Sequence, residues 1–152
     1  MVAPTGTEKI PSNCKTAAAV CIFYNGSVCL GRRADRDQKG NLYPYSGYWS
    51  AFGGEVEEGE NPMVAACREL KEETGVNLDI LDLTYMEQVT NEDGCIYILY
   101  AHHLKKLIFP TLNFEHSECG YFKIDYLQNS PNPICPKMVN AIVRYEERRW
   151  KG

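Results

Sequence analysis

The chain reads Gly54-Glu55-Val56-Glu57-Glu58-Gly59-Glu60-Asn61-Pro62-Met63-Val64-Ala65-Ala66-Cys67-Arg68-Glu69-Leu70-Lys71-Glu72-Glu73-Thr74-Gly75-Val76 over the stretch that decides its fold. Asn61 and Pro62 are typical of a helix start, because Asn caps free N–H groups and Pro fits the first helical position. Gly75 is typical of a helix end, since glycine tolerates the left-handed turn that follows a helix. We therefore predict a glycine-containing loop and then a helix of about a dozen residues.

The predicted helix carries carboxylates on one of its faces. Its apolar residues recur at three- and four-residue spacing and form a separate face, made of Met63, Ala66, Cys67 and Leu70. Glu69, Glu72 and Glu73 repel one another at this spacing, and the end of the helix dipole disfavours them further. A bound Mg²⁺ or Mn²⁺ would relieve both penalties, because hard cations prefer carboxylate oxygens. A solvated acidic patch is the alternative, and the helix alone does not decide between them.

The spacing of the whole stretch resembles the Nudix box. Gly54, Glu60 and the run Arg68-Glu69-Leu70-Lys71-Glu72-Glu73-Thr74-Gly75-Val76 fill every fixed position of that box. The chain is thus similar to the MutT-like Nudix hydrolase superfamily. The resemblance implies hydrolysis of a nucleoside diphosphate linked to another group, with Mg²⁺ or Mn²⁺ as cofactor.

The resemblance also implies roles for individual residues of the box. The implied metal ligands are the carbonyl of Gly54 and the carboxylates of Glu69, Glu72 and Glu73. Glu60 and Arg68 match the pair that braces the loop against the helix in this superfamily.

A further glutamate downstream of the box matches a looser pattern of the superfamily. Glu115 stands six residues before Tyr121-Phe122, where many relatives have a glutamate ahead of an aromatic pair, and Glu118 is its competitor. The resemblance implies that Glu115 adds a metal ligand or serves as the base. The predicted catalytic residues are Glu69, Glu73 and Glu115, and either Glu69 or Glu115 could orient the attacking water.

Three residues before the box are predicted to contact substrate. Arg33 ends a predicted strand and could meet a phosphate, whereas Tyr45 and Trp49 could stack on a base. Gly47 and Trp49 match the usual lead-in to the box, although Phe52 stands where proline is common. A surface arginine or an aromatic cluster is also frequent without any ligand.

The remaining pattern predicts an α/β fold. Asn25-Gly26 is a strong hairpin signal between two apolar runs. The predicted elements outside the box are strands at 15–24, 27–33, 78–90 and 95–104 and a helix at 137–150. With the box helix they suggest an α/β/α sandwich with a mixed β-sheet, as the resemblance implies. We expect a flexible N-terminal arm at 1–14 and a single domain at 15–152.

Composition limits the functional classes. The net charge of −4 disfavours broad binding to nucleic acid, so we expect a small-molecule nucleotide as partner and nucleic acid only as a 5′ end. No apolar run is long enough to span a membrane. The seven cysteines form no C-x-x-C pair, which favours reduced thiols and a cytoplasmic location. A homodimer is compatible with the resemblance.

The substrate is predicted only as a class. The small domain favours a (deoxy)nucleoside triphosphate or a nucleotide sugar. The alternatives are an RNA 5′-pyrophosphohydrolase and a non-catalytic Nudix-like nucleotide-sensing domain.

Overall fold

The computed structural model describes residues 16–42, 46–90 and 94–151. The predicted arm at 1–14 and the predicted substrate contact Tyr45 lie outside these ranges. The described strands are β1 (Thr16–Tyr24), β2 (Ser27–Arg33), β3 (Trp49–Ser50), β4 (Phe52–Glu55), β5 (Thr84–Thr90), β6 (Ile96–His103) and β7 (His116–Lys123). The described α-helices are α1 (Pro62–Thr74) and α2 (Pro136–Lys151).

The strands form one mixed sheet. Its order is β3-β2-β1-β6-β5, with β4 also paired to β1 and β7 also paired to β2. β1 runs parallel to β6 and antiparallel to β2 and β4. The predicted mixed sheet is therefore confirmed.

The central strand β1 is buried on both faces. Ala18, Val20 and Ile22 pack in the core that contains Ala65, Ala66 and Leu70 of α1. The alternate residues Ala19, Cys21 and Phe23 pack in the core that contains Val139, Ile142 and Tyr145 of α2. Because successive side chains of a strand point to opposite faces, one helix covers each side of the sheet. This arrangement confirms the predicted α/β/α sandwich.

Local capping fixes the ends of α1, as the sequence predicts. Asn61 Oδ1 accepts a hydrogen bond from the Met63 N–H at 2.7 Å, and Pro62 is the first helical residue. Gly75 has a φ of 76° and donates its N–H to the Lys71 carbonyl at 2.9 Å. The helix therefore has a defined start and end beside β4.

The predicted strand at 78–90 is wrong in part, and the strands β3, β4 and β7 were not predicted. The predicted strand at 78–90 begins only at Thr84, because a 3₁₀ turn at Ile80–Asp82 precedes it. The Asp79 side chain accepts from the Leu81 N–H, and the Asp82 side chain accepts from the Asp79 N–H, so local hydrogen bonds replace strand pairing. Strand β7 was not predicted, because its alternation of apolar and polar residues is interrupted.

One prediction about the cysteines also needs correction. Cys95 forms a disulfide bond, so the expectation of reduced thiols does not hold for this residue. The cysteines in the described ranges that form no disulfide bond are Cys21, Cys29, Cys67, Cys119 and Cys135.

The close packing around Gly31 of β2 can be tested by a substitution. A methyl group on Gly31 would lie 2.5 Å from Phe52 Cε1 and 2.8 Å from His116 Cδ2. We expect Gly31→Ala to lower the free energy of unfolding by about 1–3 kcal/mol, the usual cost of overpacking a core. Thermal denaturation would measure this loss. Gly120→Ala is the matched control, because a methyl group there meets nothing within 4 Å, and an equal loss in both variants would contradict the packing argument.

Candidate active site

Two glycines of β4 bring the strand into close contact with α1. The Gly53 N–H donates to Glu73 Oε1 at 3.1 Å. A methyl group on Gly53 would collide with the backbone of β1, and one on Gly54 would overlap with the Glu69 carboxylate. A larger residue at position 54 would therefore push α1 away from β4, and one at position 53 would disturb the pairing of β4 with β1.

Three carboxylates meet at this contact. Glu69, Glu73 and Glu115 each offer an oxygen, and these oxygens lie within 4.8 Å of one another. Glu115 reaches the cluster from the turn before β7, where its N–H donates to Asn113 Oδ1 at 2.9 Å. Its carbonyl accepts from the Ala34 N–H at 2.9 Å, which ties this turn to the end of β2. We call these three residues the carboxylate cluster.

Burial and like charges make the cluster electrostatically costly. Glu73 is fully buried, and this burial, followed by the charges of Glu115 and Glu69, raises its pKa to about 10. Burial also raises the pKa of Glu115, although Arg33 opposes this shift. In the absence of a cation, Glu73 is therefore protonated at neutral pH.

The donor atoms of the cluster fit a divalent metal ion. Glu73 Oε2 is buried and has no hydrogen-bond donor facing it within the described structure. All three side chains supply carboxylate oxygens, which are the ligands that Mg²⁺ and Mn²⁺ prefer. A cation in this position would meet the unpaired oxygen and offset the repulsion between the carboxylates.

Arg68 connects the preceding loop to the helix. Its Nε and Nη2 donate to the two carboxylate oxygens of Glu60, each at 3.0 Å. Its Nη1 donates to Glu69 Oε2 at 2.9 Å, and its Nη2 also donates to the Glu55 carbonyl at 3.2 Å. The hydrogen bond from Arg68 lowers the pKa of Glu60. One guanidinium thus holds the loop and orients a member of the carboxylate cluster.

A family model described as NUDIX domain matches residues 15–141. The chain belongs to the Nudix family. The match covers all seven described strands, α1, the beginning of α2 and all three residues of the carboxylate cluster.

Two curated proteins are similar in sequence to this Nudix chain. A Xenopus laevis protein named nucleoside diphosphate-linked moiety X motif 6 is 32% identical over 123 residues, 75% of this chain and 52% of that protein. A Bartonella quintana protein named RNA pyrophosphohydrolase is 38% identical over 63 residues, 41% of this chain and 36% of that protein. The chain thus spans about half or less of these relatives.

A solved structure agrees on the fold. The MutT protein from Methanosarcina mazei Go1 superposes with a TM-score of 0.73 at 20% identity, covering 89% of this chain and 94% of the other. At this level of identity the similarity concerns the fold alone.

Glu72 does not join the carboxylate cluster. Its side chain is 54% exposed, and its carboxylate lies 3.7 Å from Arg68 Nη1. The same Arg68 Nη1 donates to Glu69 Oε2 at 2.9 Å, so Glu72 lies beside the cluster, at its exposed side. Its role as a metal ligand, and that of the Gly54 carbonyl, stay predictions.

Arg33 and Trp49, two of the predicted substrate contacts, lie in different surroundings. Arg33 is close enough to the cluster for its charge to oppose the rise in the pKa of both Glu73 and Glu115. The Trp49 ring is 7% exposed and packs against Phe122 in the core beneath α2, with 5.0 Å between ring centroids. A ring buried there has no free face on which a base could stack. Trp49 is therefore not a residue of the candidate site.

His116 was not among the site residues predicted from the sequence. Its ring is 5% exposed, packs edge-on against Phe52 at 5.0 Å, and lies opposite Arg33. Burial and the charge of Arg33 lower its pKa to about 4, so the ring is neutral. The register shift between Arg32 and Arg33 marks a bulge that turns His116 toward α1. Simple alternation along β7 would have pointed its ring to the other face.

The raised pKa of Glu73 predicts how stability depends on pH without metal. Between pH 5 and 9 the folded state keeps a proton on Glu73 that the unfolded chain loses, so this contribution to stability falls as pH rises. We expect Glu73→Gln, which needs no such proton, to gain in melting temperature relative to the wild type as pH increases. Melting curves in EDTA at pH 5, 7 and 9 measure the difference. Glu58→Gln, at an exposed position, is the control, and an unchanging offset for Glu73→Gln would contradict the prediction.

The Arg68 contacts predict a loss of metal affinity when their geometry is broken. Lysine keeps the charge of Arg68 but cannot donate to two oxygens of Glu60 and to Glu69 together. We expect Arg68→Lys to weaken Mn²⁺ binding by about 10–100-fold, the usual effect of losing a group that orients a ligand. Titration calorimetry measures this, with Arg36→Lys, an exposed arginine bonded to the Gly40 carbonyl, as control. Unchanged affinity in Arg68→Lys would show that Arg68 does not orient the cluster.

Proposed function

We propose that the chain is a metal-dependent Nudix pyrophosphohydrolase that cleaves the diphosphate linkage of a nucleoside diphosphate derivative. The observation that carries this proposal is the meeting of Glu69, Glu73 and Glu115 within 4.8 Å, beside the cation of Arg33. Clustered, partly buried carboxylates with raised pKa values are typical of sites that hold a cation or move protons. Membership of the Nudix family supports the same reaction class.

The proposed mechanism is attack of water on phosphorus. The carboxylate cluster, with Glu72 and the Gly54 carbonyl, would hold Mg²⁺ or Mn²⁺, which supplies positive charge to the diphosphate and assists the ionisation of water. Arg33 would bind a phosphate oxygen and orient the anhydride. Positioning and charge neutralisation account for most of the rate in such reactions.

Glu115 is the residue that we assign as the base. Glu69 Oε2 already accepts a hydrogen bond from Arg68 Nη1 at 2.9 Å, which restrains this carboxylate and occupies one of its oxygens. Burial raises the pKa of Glu115, which suits proton transfer near neutral pH. Glu73 Oε1 accepts a hydrogen bond from the Gly53 N–H, and this buried side chain is held too rigidly to move with the substrate.

The proposed substrate class is a (deoxy)nucleoside triphosphate or a nucleotide sugar. The second candidate is the 5′ end of an RNA, because one relative is named RNA pyrophosphohydrolase. The net charge of −4 disfavours extended contacts with a nucleic-acid backbone. A non-catalytic sensing domain is the third candidate. The presence of every glutamate of the box argues against it.

Location and assembly are further proposals. None of the helices in the described ranges is long and apolar enough to cross a membrane. A cytoplasmic location is supported by the free cysteines and opposed by the disulfide at Cys95. A homodimer would show as a doubled mass in light scattering.

Turnover of a substrate panel tests the proposed function. We expect release of phosphate, pyrophosphate or a nucleoside monophosphate with Mg²⁺ from nucleoside triphosphates or nucleotide sugars. Glu73→Gln should lower kcat at least about a hundredfold while leaving the fold intact, because glutamine keeps the Gly53 hydrogen bond but loses the carboxylate. Near-wild-type turnover by Glu73→Gln would overturn the site assignment.

The same assay separates the remaining alternatives. Triphosphorylated RNA in the panel distinguishes the second candidate, and Glu58→Gln controls for the change of charge. Glu115→Gln should lower kcat with little change in KM if Glu115 is the base. Binding of nucleotides without any turnover would favour the sensing domain.

A further inference from the structure

Two cysteines of neighbouring strands lie on the α1 face of the sheet. Cys29 of β2 is fully buried, and Cys119 of β7 is half-buried. Both pack in or against the core that contains Leu70 of α1. Neither residue belongs to the carboxylate cluster, so the proposed reaction does not account for them.

The register between β2 and β7 brings the two thiols together. Cys29 pairs with Tyr121, and Gly31 pairs with Cys119. Side chains two residues apart in a strand point to the same face, so Cys29 and Cys119 are diagonal neighbours on that face. The pair is therefore fixed by the regular part of the sheet, before the bulge near Arg33.

Both side chains are protonated thiols at neutral pH. Burial, followed by the neighbouring Cys119 thiol, raises the pKa of Cys29 to about 12. Burial also raises the pKa of Cys119. The influence of one thiol on the other shows that the two sulfur atoms are close enough to interact.

The geometry of the pair disfavours a direct disulfide. Diagonal neighbours on two antiparallel strands are about 7–8 Å apart, whereas a disulfide requires Cα atoms within about 7 Å. Cys29 and Cys119 stay separate thiols in a chain that forms a disulfide at Cys95. A metal ion between the sulfurs adds two metal–sulfur bonds of roughly 2.3 Å each, which suits the wider separation.

The number of available ligands restricts the class of metal. Within the described ranges, the only three or more His, Cys, Asp and Glu side chains whose ligand atoms lie within 4.8 Å of one another form the carboxylate cluster. A structural zinc ion takes four ligands, so the cysteine pair does not make a zinc site. Thiolates select soft cations such as Cu(I), which two sulfurs can hold in line.

An ion can reach the pair from the side of Cys119. In the described sheet β7 pairs with β2 alone, and Cys119 on this edge strand is partly exposed. The Tyr121 hydroxyl donates to the Ile108 carbonyl at 2.7 Å, which holds this ring in place opposite Cys29. A charge that remains on the complex would lie at the Cys119 end, where solvent lowers its cost.

We propose that Cys29 and Cys119 form a binding site for one soft, thiophilic cation of the Cu(I) class. On binding, each thiol releases its proton to solvent, and each sulfur donates an electron pair to the metal. The site is separate from the carboxylate cluster, whose oxygen ligands prefer hard cations. The inference uses none of the residues of the proposed reaction and holds independently of it.

Competition for Cu(I) tests the site. Wild-type protein is titrated under anaerobic conditions in ascorbate, with bicinchoninate as a coloured competitor, and we expect one tightly bound Cu(I) per chain. Cys29→Ser and Cys119→Ser should each weaken this binding by at least about 10–100-fold, because losing a ligand costs no less than losing a group that orients one. Wild-type affinity in Cys119→Ser, or no Cu(I) binding by the wild type, would overturn the proposal.

A matched control removes a similar thiol elsewhere. Cys67 of α1 is half-buried, packs against the same core, and has a pKa raised by burial. Cys67→Ser should bind Cu(I) like the wild type. A loss equal to that of Cys119→Ser would show that the thiols bind copper without a defined site and would contradict the pairing.

Two further measurements do not depend on the folding of Cys29→Ser. X-ray absorption of the wild-type copper complex should show two sulfur neighbours and no nitrogen or oxygen neighbour, and any other shell would overturn the assignment. Mn²⁺ affinity of Cys119→Ser should stay within about twofold of the wild type, since the carboxylate cluster is unchanged. A parallel loss of Mn²⁺ and Cu(I) binding would contradict a separate site.

Discussion

The contact between the Glu73 carboxyl and the Gly53 N–H is the constraint on which the site depends. It is the point where α1 meets β4, and Glu73 is fully buried there. A buried carboxyl beside two others is unfavourable by itself, because desolvation and like charges both penalise the ionised form. The fold keeps this arrangement since the helix is capped at both ends and anchored to the sheet by Ala65, Ala66 and Leu70.

Backbone irregularities assemble the rest of the site around that contact. Glu115 is far from the helix in sequence, and it arrives because the turn before β7 is bonded to Ala34. The bulge opposite Arg32 and Arg33 turns His116 toward α1, and the Gly47 N–H donates to the Arg33 carbonyl at the end of the same strand. Bulges are frequent next to active sites because they redirect side chains without ending the strand pairing. The antiparallel pairing of β2 with β7 thus brings the end of β2 to the start of β7, and the bulge adjusts the side chains there.

The sequence predicts those features that depend on neighbours along the chain. The caps Asn61 and Gly75 act through local hydrogen bonds, and the spacing of Glu69 and Glu73 on one helix follows from helical geometry, so both could be inferred. The fold class also followed from periodicity and from the resemblance.

Features that depend on the register between distant strands could not be inferred in this way. The burial of Trp49 follows from its pairing with Arg32 on the α2 side, which no local pattern reveals. The contact of Glu72 with Arg68 fits their four-residue spacing on the helix, but the hydrogen bonds from Arg68 to Glu60 and to the Glu55 carbonyl become evident only in three dimensions. His116 was missed because a single extra residue in β7 reverses its face.

The proposed metal ligands lie on elements whose positions are fixed by their own contacts. The carboxylates on α1 are held by capping, by Arg68 and by the glycines of β4, and rigid elements hold metal ligands more accurately than loops. Glu115 belongs instead to the turn before β7, which is fixed by the hydrogen bond from the Ala34 N–H to the Glu115 carbonyl. A fold arranged in this way can retain one phosphate chemistry while the bound organic group varies.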